Sequence, residues 1–342
     1  MSKAAELAAL IGSQTALSNK NLIINGAMQV AQRSTSVSAL TGSGYKTVDR
    51  WNTAASGATY SQSQETVTLG DSAIGDFKNY LKHNATTGNA DHGITYRVED
   101  VQSVLEGTVT LSFYAKGTNP NGGHMEMIAT QNFGTGGSPS SDVAQIAQDF
   151  TLTASWQRFE FQITVPSLSG KTVGTDGNSY YQIKLAQPSD DSSTDAWELN
   201  ITGVQLEVGS TATPFEHRSY GDELLRCQRY YCRSYNIGTD TGTNTLDGAI
   251  TTRQGGTPST NNVAFNVDFP VTMRSAPTMT LYAKDGTSGQ VSDFGNSYSG
   301  DGTDRAVNAV NAIGMRGFGG GNFSGVSEND IVIFHYEASS EL

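Results

Sequence analysis

The side chains that could perform acid–base or nucleophilic chemistry are scattered along this 342-residue chain. Glycoside hydrolysis needs two convergent carboxyl groups, and the candidates are Glu99, Asp100, Glu126, Glu160 and Glu198. They sit at alternating strand positions, where solvent-facing polar residues belong. The five histidines are dispersed, and no GxSxG or HExxH pattern is present. The sequence therefore predicts a protein that is not an enzyme.

Metal and cofactor chemistry has few candidate residues. The acidic loop at 189–195 carries Asp190, Asp191 and Asp195, whose hard oxygens suit a structural Ca²⁺, but its spacing is also typical of a solvated acidic loop. Cys227 and Cys232 stand five apart on one predicted helix, off a common face, which predicts free thiols. No CxxC pair or histidine cluster accompanies them as zinc would require. No other cofactor is predicted.

Recognition chemistry is concentrated near the C-terminus. The glycine-dense segment 314–325 lacks the GK[ST] ending of a phosphate-binding loop, so its glycines indicate close backbone approach or mobility. It is either an ordinary long hairpin loop or a contact loop. The candidate receptor-contact residues on it and on nearby loops are Arg316, Phe318, Asn322, Phe323, Tyr282, Phe294 and Tyr298.

Three tryptophans are candidates for stacking on sugars in the first part of the chain. Trp156 and Trp197 open predicted strands, and a ring at that place more often packs under the edge of a sheet. We therefore interpret these tryptophans as packing residues first and as sugar contacts second.

Composition and charge exclude several classes of partner. Glycine accounts for 38 residues and charged residues for 16%, which is typical of a turn-rich all-β protein. The net charge of −12 argues against binding to nucleic acid or to anionic lipid. No run approaches the ~20 apolar residues of a membrane span, and the opening residues lack a secretory signal. We expect synthesis in a cytoplasm.

The elements that must position these residues follow from periodicity. Residues 1–20 contain a short predicted helix for attachment or oligomerisation, and 21–208 contain about ten short strands without helices. This pattern predicts a jelly-roll-like antiparallel β-sandwich. Residues 209–236 read as a crossing segment and a linking helix over 221–235. Residues 237–342 read as a second, smaller β tip domain.

The predicted helices have apolar faces that need burial. Such a face could rest on its own domain or meet its copies around a three-fold axis. The oligomer-interface candidates are Leu7, Leu10, Ile11, Leu224, Leu225, Tyr231 and Tyr235.

Several separated segments resemble one known module. They are NLIINGAMQVAQR, YKTVDRW, TVTLSFYAKG, SWQRFEFQITVP and the hinge GVQLEVGSTATPFEHRSYGDELLRCQRYYCRSY. Over residues 20–236 the chain resembles bacteriophage tail-fibre and other virion appendage proteins, and its middle strands resemble, more weakly, jelly-roll carbohydrate-binding modules. The resemblance implies a homotrimer with a receptor-contacting C-terminal tip. Residues 237–342 resemble these proteins only in general character, without a specific shared motif.

This resemblance, together with the lack of a catalytic motif, implies a non-catalytic virion protein, made in the cytoplasm of a bacterial host. Its N-terminal helix would attach to other virion proteins, and its C-terminal domain would bind a host surface glycan or receptor. One alternative is a purely structural virion component, such as a head fibre, decoration or connector protein. Another is an appendage enzyme that cleaves glycans.

Overall fold

The fold is all-β and antiparallel, as predicted. A computed structural model describes residues 20–121, 123–144, 148–255, 261–298 and 300–342. The predicted N-terminal helix, with Leu7, Leu10 and Ile11, lies outside these residues. The described residues divide into two compact units: unit 1 takes in residues 20–29 and 36–220 with Leu342, and unit 2 takes in residues 30–35 and 221–341.

Unit 1 is a sandwich of two antiparallel sheets. Its strands are β1 Ser36–Leu40, β2 Gly44–Tyr45, β3 Trp51–Ala54, β4 Thr59–Thr66, β5 Asn79–Thr87, β6 Gly93–Glu99, β7 Gly107–Thr118, β8 Met125–Asn132, β9 Val143–Ala144, β10 Gln148–Phe150, β11 Gln157–Val165, β12 Tyr180–Ala186 and β13 Trp197–Val208. A 3₁₀ turn at Val101–Ser103 follows β6. The six-stranded sheet has the order β1-β4-β5-β13-β7-β11. The seven-stranded sheet has the order β10-β8-β12-β6-β3-β2, with β9 on β8.

The core of unit 1 lies between these sheets. Side chains alternate along each strand, so every second residue points inward. The six-stranded sheet contributes Leu111 and Phe113, the seven-stranded sheet contributes Tyr181 and Ile183, and all four are buried in one hydrophobic cluster. The alternate residues form the two outer faces of the sandwich.

Strand β13 is central in its sheet, and its residues from Leu199 to Glu207 are buried on both faces. Its alternation breaks at a bulge, where the register shifts between Thr202 and Gln205. The N-terminal segment pairs alongside: Leu22 N donates to Leu206 O at 2.9 Å, and Val204 N donates to Gly26 O at 2.9 Å. A side chain at Gly26 would collide with the Val204 carbonyl oxygen, its Cβ only 2.1 Å away. This close approach explains the glycine in the NLIINGAMQV segment.

Unit 2 is built around the long strand β23. Its strands are β14 Tyr231–Arg233, β15 Ile250–Arg253, β16 Asn262–Val263, β17 Val267–Asp268, β18 Thr278–Tyr282, β19 Gln290–Asp293, β20 Thr303–Val310, β21 Gly317–Phe318, β22 Gly321–Phe323 and β23 Ile331–Ser339. The main sheet has the order β14-β23-β19-β20-β22-β16, with β15 and β18 also on β23, and β17 pairs with β21.

The predicted helix over 221–235 is wrong beyond its first turns. The helix spans Tyr220–Gln228, and the next residues form β14, in which Tyr231 pairs with Ser339 of β23. Backbone pairing with β23 satisfies the amide and carbonyl groups that a longer helix would have bonded internally. Cys227 therefore lies on the helix and Cys232 on a strand, and both are buried thiols outside any disulfide.

Among the residues that the structure describes, no helix has both the length and the apolar character needed to cross a membrane.

Candidate functional site

The outer face of the six-stranded sheet in unit 1 carries a run of ring side chains that we call the aromatic groove. Its members come from the β4–β5 loop, from β5 and β7, from the residue before β11 and from the segment after β13. They are Phe77, Tyr80, Tyr114, Trp156, Phe215 and His217. Tyr114 points outward because Phe113 and Ala115 beside it point into the core.

The rings pack on one another mostly at steep angles. Phe77 lies centrally, with its ring centroid 5.6 Å from Tyr114, 5.1 Å from Phe215 and 5.4 Å from His217. Tyr80 and Trp156 meet edge to face, with centroids 5.3 Å apart and planes at 80°. Tilted and edge-to-face pairs are favoured by the ring quadrupoles. The rings therefore hold one another in place without a ligand.

The β13 bulge makes room for Phe77. Gly203 has φ +62°, and a Cβ placed on it would lie 2.5 Å from Cζ of Phe77. Only glycine adopts this left-handed conformation at low cost while leaving that space open. The glycine of the ITGVQLEV segment thus positions a groove residue that is distant in sequence.

A cavity of about 350 Å³ opens at one end of the groove. Phe77, Tyr114, Phe215 and His217 line it with the polar residues Asp76, Ser112 and Arg158. The Arg158 guanidinium donates from Nη2 to the Thr213 carbonyl oxygen at 2.9 Å and lies 2.6 Å from Glu160 Oε1. A cavity of this size with a few convergent polar groups falls within the range of small-molecule sites, ~300–1,000 Å³.

Polar side chains surround the Tyr80–Trp156 end. The Lys116 ammonium lies 5.1 Å from the Trp156 ring centroid and 6.0 Å from that of Tyr80. Lys82 Nζ is 2.8 Å from a Glu198 carboxylate oxygen, and Asn200 Nδ2 donates to the other oxygen at 2.7 Å. The hydrogen bond to Glu198 raises the pKa of Lys82. The face thus offers amide, ammonium and carboxylate groups beside exposed ring surface.

The Glu198 carboxyl group is held ionised. Burial by itself raises the pKa of Glu198, but the hydrogen bonds from Lys82 and Asn200 and the nearby lysine charges outweigh it, and the pKa is lowered overall. A carboxylate in this state accepts hydrogen bonds and is a poor general acid. The arrangement therefore suits binding better than acid catalysis.

The structure separates the contact residues predicted in unit 2. Phe318, Phe323 and Phe294 are buried in its core, at 1%, 0% and 7% exposure, so they are not available at its surface. The rings of Phe318 in β21 and Phe323 in β22 belong to the main core cluster of unit 2, whereas Phe294, just after β19, packs with Ile331 and Ile333.

The remaining predicted contacts of unit 2 are at least partly accessible, but they do not form one cluster. Arg316 is exposed and lines a separate cavity of about 570 Å³ with residues 268–272. Tyr298 is 56% exposed and stacks on Phe294, with ring centroids 5.2 Å apart. The Tyr282 hydroxyl donates to Glu337, and the Asn322 amide donates to Asn262. Their role in contact stays a prediction.

The predicted interface residues of the hinge divide in a similar way. Leu225 is 49% exposed on the helix and Leu224 is half-buried, so both remain interface candidates. Tyr231 and Tyr235 are buried within unit 2, and the Tyr235 ring stacks on His335 at a centroid distance of 3.8 Å. Their need for burial is met without a second copy.

The predicted calcium loop does not gather its carboxylates among the described residues. Asp190 and Asp195 are exposed, and Asp191 Oδ1 accepts a hydrogen bond from Ser193 N at 3.0 Å. The cluster of three metal-ligating side chains lies elsewhere in unit 1. A Ca²⁺ site in this loop therefore gains no support from the geometry.

The aromatic groove itself was not predicted from the sequence. Trp156 was assigned to packing first, and Phe77, Phe215 and His217 lie in loops without periodicity. The available signal was the segment TPFEHRSY, whose ring residues follow a strand that is buried on both faces. Residues 209–220 belong to unit 1 and do not simply cross away from it.

The solved structures that resemble part of this fold are distant from this chain in sequence. The CBM22-2 xylan-binding domain of Paenibacillus barcinonensis Xyn10C is 17% identical, with a TM-score of 0.31, over 47% of this chain and 92% of that chain. The cellulose-binding domain of Cellulomonas fimi β-1,4-glucanase C is 17% identical, with a TM-score of 0.29, over 39% and 80%. The enzymatically active domain of bacteriophage CBA120 tailspike protein 4 is 13% identical, with a TM-score of 0.31, over 55% and 21%.

Comparison with protein-family models and with curated proteins found no match. The structural likenesses are too distant to set the ligand of this chain.

Proposed function

We propose that this chain binds a glycan without cleaving it and that the aromatic groove of unit 1 is the binding surface. The supporting observation is the half-buried Tyr80–Trp156 pair beside Lys116 and the Glu198–Asn200 hydrogen bond. A sugar ring has C–H faces that pack on aromatic rings, and its hydroxyls bond amide and charged groups. The groove provides both kinds of partner on one sheet face.

The groove is a better candidate than the C-terminal domain expected from the sequence. In unit 2, Phe318 and Phe323 are core residues. The accessible candidates that remain are separate polar or single-ring contacts, namely Arg316, Asn322, Tyr282 and Tyr298. Sugar recognition gains most from rings and polar groups that converge. In unit 1 six ring side chains and several polar groups share one face.

Binding without cleavage is supported by the state of the groove carboxylates. Glycoside hydrolysis needs one protonated carboxyl group and a second, ionised one at a defined separation. Glu198 is paired with Lys82, and Glu160 is paired with Arg158. The lowered pKa of Glu198 keeps this carboxylate ionised, so it is poorly suited to protonate a leaving group.

The place of the protein on a virion rests on the sequence resemblance. The strand and hinge segments resemble tail-fibre and other appendage proteins of bacteriophages. We therefore propose a homotrimeric virion appendage that binds a host surface glycan, with the N-terminal residues attached to other virion proteins. The exposed Leu225 is a candidate contact between copies.

The experiment is affinity electrophoresis and calorimetry of the full chain with neutral, uronate-containing and sulfated polysaccharides. Trp156→Ala and Tyr80→Ala are the test variants. Tyr180→Ala is the matched control, because Tyr180 is a half-buried tyrosine on the outer face of the opposite sheet. Tyr298→Ala tests the C-terminal site instead.

We expect at least one polysaccharide to bind and each groove variant to weaken that binding about tenfold, since one stacked ring contributes ~1–3 kcal/mol when fully used. Unchanged binding by Trp156→Ala together with loss in Tyr298→Ala would move the site to unit 2. Release of sugar from a bound polysaccharide would overturn the non-catalytic assignment. Absence of all binding would favour a purely structural virion component.

A further inference from the structure

Three metal-ligating side chains converge at the edge of the seven-stranded sheet, on the opposite side of unit 1 from the aromatic groove. They are Glu126 in β8, Asp149 in β10 and His124 just before β8. One ligand atom from each lies within 4.8 Å of the others. The His124 Nε2 atom is 3.8 Å from Asp149 Oδ1.

The strand register forces this convergence. Glu126 and Asp149 are directly opposite each other in the antiparallel β8–β10 pair. Their neighbours Met125 and Phe150 are buried in the core, so both carboxylates point outward. His124 lies two residues before Glu126 and shares its face. Like charges placed directly opposite in a sheet repel each other, and a cation between them removes that repulsion.

The spacing of the three side chains leaves room for an ion between them, since their ligand atoms lie within 4.8 Å of one another. At 3.8 Å the imidazole and the Asp149 carboxylate are too far apart for a hydrogen bond. Tetrahedral coordination at 2.0–2.1 Å places ligand atoms about 3.3 Å apart. These partly exposed side chains reach that spacing by small rotations, because His124 is 33% and Asp149 65% exposed.

We infer that His124, Glu126 and Asp149 form a binding site for a divalent transition-metal ion of the zinc type. One imidazole nitrogen and two carboxylates are a ligand set for such ions, whereas Ca²⁺ prefers oxygen ligands alone. Three protein ligands leave a fourth position open to water or to an oxygen of another molecule. The ion would tie the edge strand β10 to β8.

The test uses the full chain without a histidine tag, treated with chelator and titrated with Zn²⁺ in a calorimeter. The test variants are His124→Ala and Glu126→Gln, the second of which keeps the shape of the side chain. Asp190→Asn is the matched control, because it removes an exposed carboxylate from the acidic loop of the same unit. A parallel titration with Ca²⁺ tests ion selectivity, and circular dichroism confirms that each variant is folded.

We expect one Zn²⁺ per chain, and a loss of affinity of about tenfold or more in both test variants, with Asp190→Asn unchanged. We also expect Zn²⁺ to bind more tightly than Ca²⁺. Absence of stoichiometric Zn²⁺ binding would overturn the site, as would Zn²⁺ binding that survives both His124→Ala and Glu126→Gln. Polysaccharide binding by the groove is measured separately and does not depend on either outcome.

Discussion

The Nε2 atoms of His83 and His92 face each other 3.1 Å apart inside the sandwich of unit 1. Both rings are fully buried, and both pack against the Trp197 ring at centroid distances of 5.3 and 5.1 Å. Tyr60 stacks on the His83 ring at 5.1 Å. Neither Nδ1 atom has a hydrogen-bond partner. The pair is therefore held neutral, with the Nε2–H group of one ring donating a hydrogen bond to the Nε2 atom of the other.

This pair predicts that unit 1 loses stability in mild acid. Burial lowers the pKa of His92 to about 4, and burial followed by the proximity of His92 lowers the pKa of His83 well below its usual value. Unfolded histidine has a pKa of ~6.5. Between these values the unfolded state binds more protons, so the free energy of unfolding falls as the pH falls through that window, by about 3 kcal/mol for His92.

Tryptophan fluorescence measures this effect in unit 1 alone, because Trp51, Trp156 and Trp197 all belong to it. Urea unfolding at pH 7 and pH 5 should give a lower midpoint at pH 5. His83→Gln combined with His92→Gln removes both titrating rings and should flatten that dependence. An equally steep loss in the double variant would locate the effect in other groups.

Gly203→Ala should destabilise unit 1 more than Gly170→Ala. Both glycines have positive φ, +62° and +74°, so both variants carry the left-handed backbone cost of about 1–2 kcal/mol. An added Cβ meets nothing within 4 Å at Gly170, but it meets the Phe77 ring at Gly203. Urea unfolding followed by tryptophan fluorescence compares the two. Equal losses would show that Phe77 moves aside freely.

The same substitution should also affect the groove. Displacing Phe77 changes the wall of the 350 Å³ cavity, so Gly203→Ala should weaken polysaccharide binding, whereas Gly170→Ala should not.

Phe323→Ala should lower the stability of unit 2 far more than Tyr298→Ala does. Phe323 is fully buried, and its truncation creates a cavity that costs about 3–5 kcal/mol. Tyr298 is 56% exposed, and its stacking on Phe294 contributes ~1 kcal/mol. Differential scanning calorimetry of the two variants measures this difference in stability. A small effect of Phe323→Ala would mean that this ring is accessible after all and would restore it as a contact candidate.

Both cysteines should resist thiol reagents until unit 2 unfolds. Cys227 and Cys232 are fully buried, and burial raises the pKa of Cys232 to about 12. At pH 8 the Cys232 thiolate is then ~10⁻⁴ of the thiol. A colorimetric thiol assay should detect almost none in the native chain and two after denaturation. Fast labelling of the native chain would contradict this packing.

The sequence predicted the strands of unit 1 well where one face is buried. Residues 157–165 alternate between exposed and buried side chains, and they form β11 as the period-2 pattern indicates. In β13 the same pattern does not show the bulge at Gly203, where the close neighbour is Phe77 from another part of the chain. A local pattern cannot report a distant side chain.

The helix prediction failed because the helical spacing in the sequence continues past the end of the helix. Leu224, Leu225, Tyr231 and Tyr235 have helical spacing, yet the last two lie beyond the end of the helix. Pairing of Tyr231–Arg233 with β23 overrides local propensity. The aromatic groove could not be predicted from local sequence patterns for a related reason. Its rings come from five separate segments, and only the sheet order brings β5, β7 and β11 to one face.

The assignment of residues 30–35 to unit 2 has a consequence for how that unit is made. Gln32 Nε2 donates to the Tyr231 carbonyl oxygen at 2.8 Å, and the Arg33 guanidinium lies 3.7 Å from the Tyr231 ring centroid. A ribosome therefore synthesises the first piece of unit 2 before any strand of unit 1, and the central strand β23 long after it. Unit 2 cannot close until translation has passed Ser339, and a fragment beginning at residue 237 would lack both Gln32 and Tyr231.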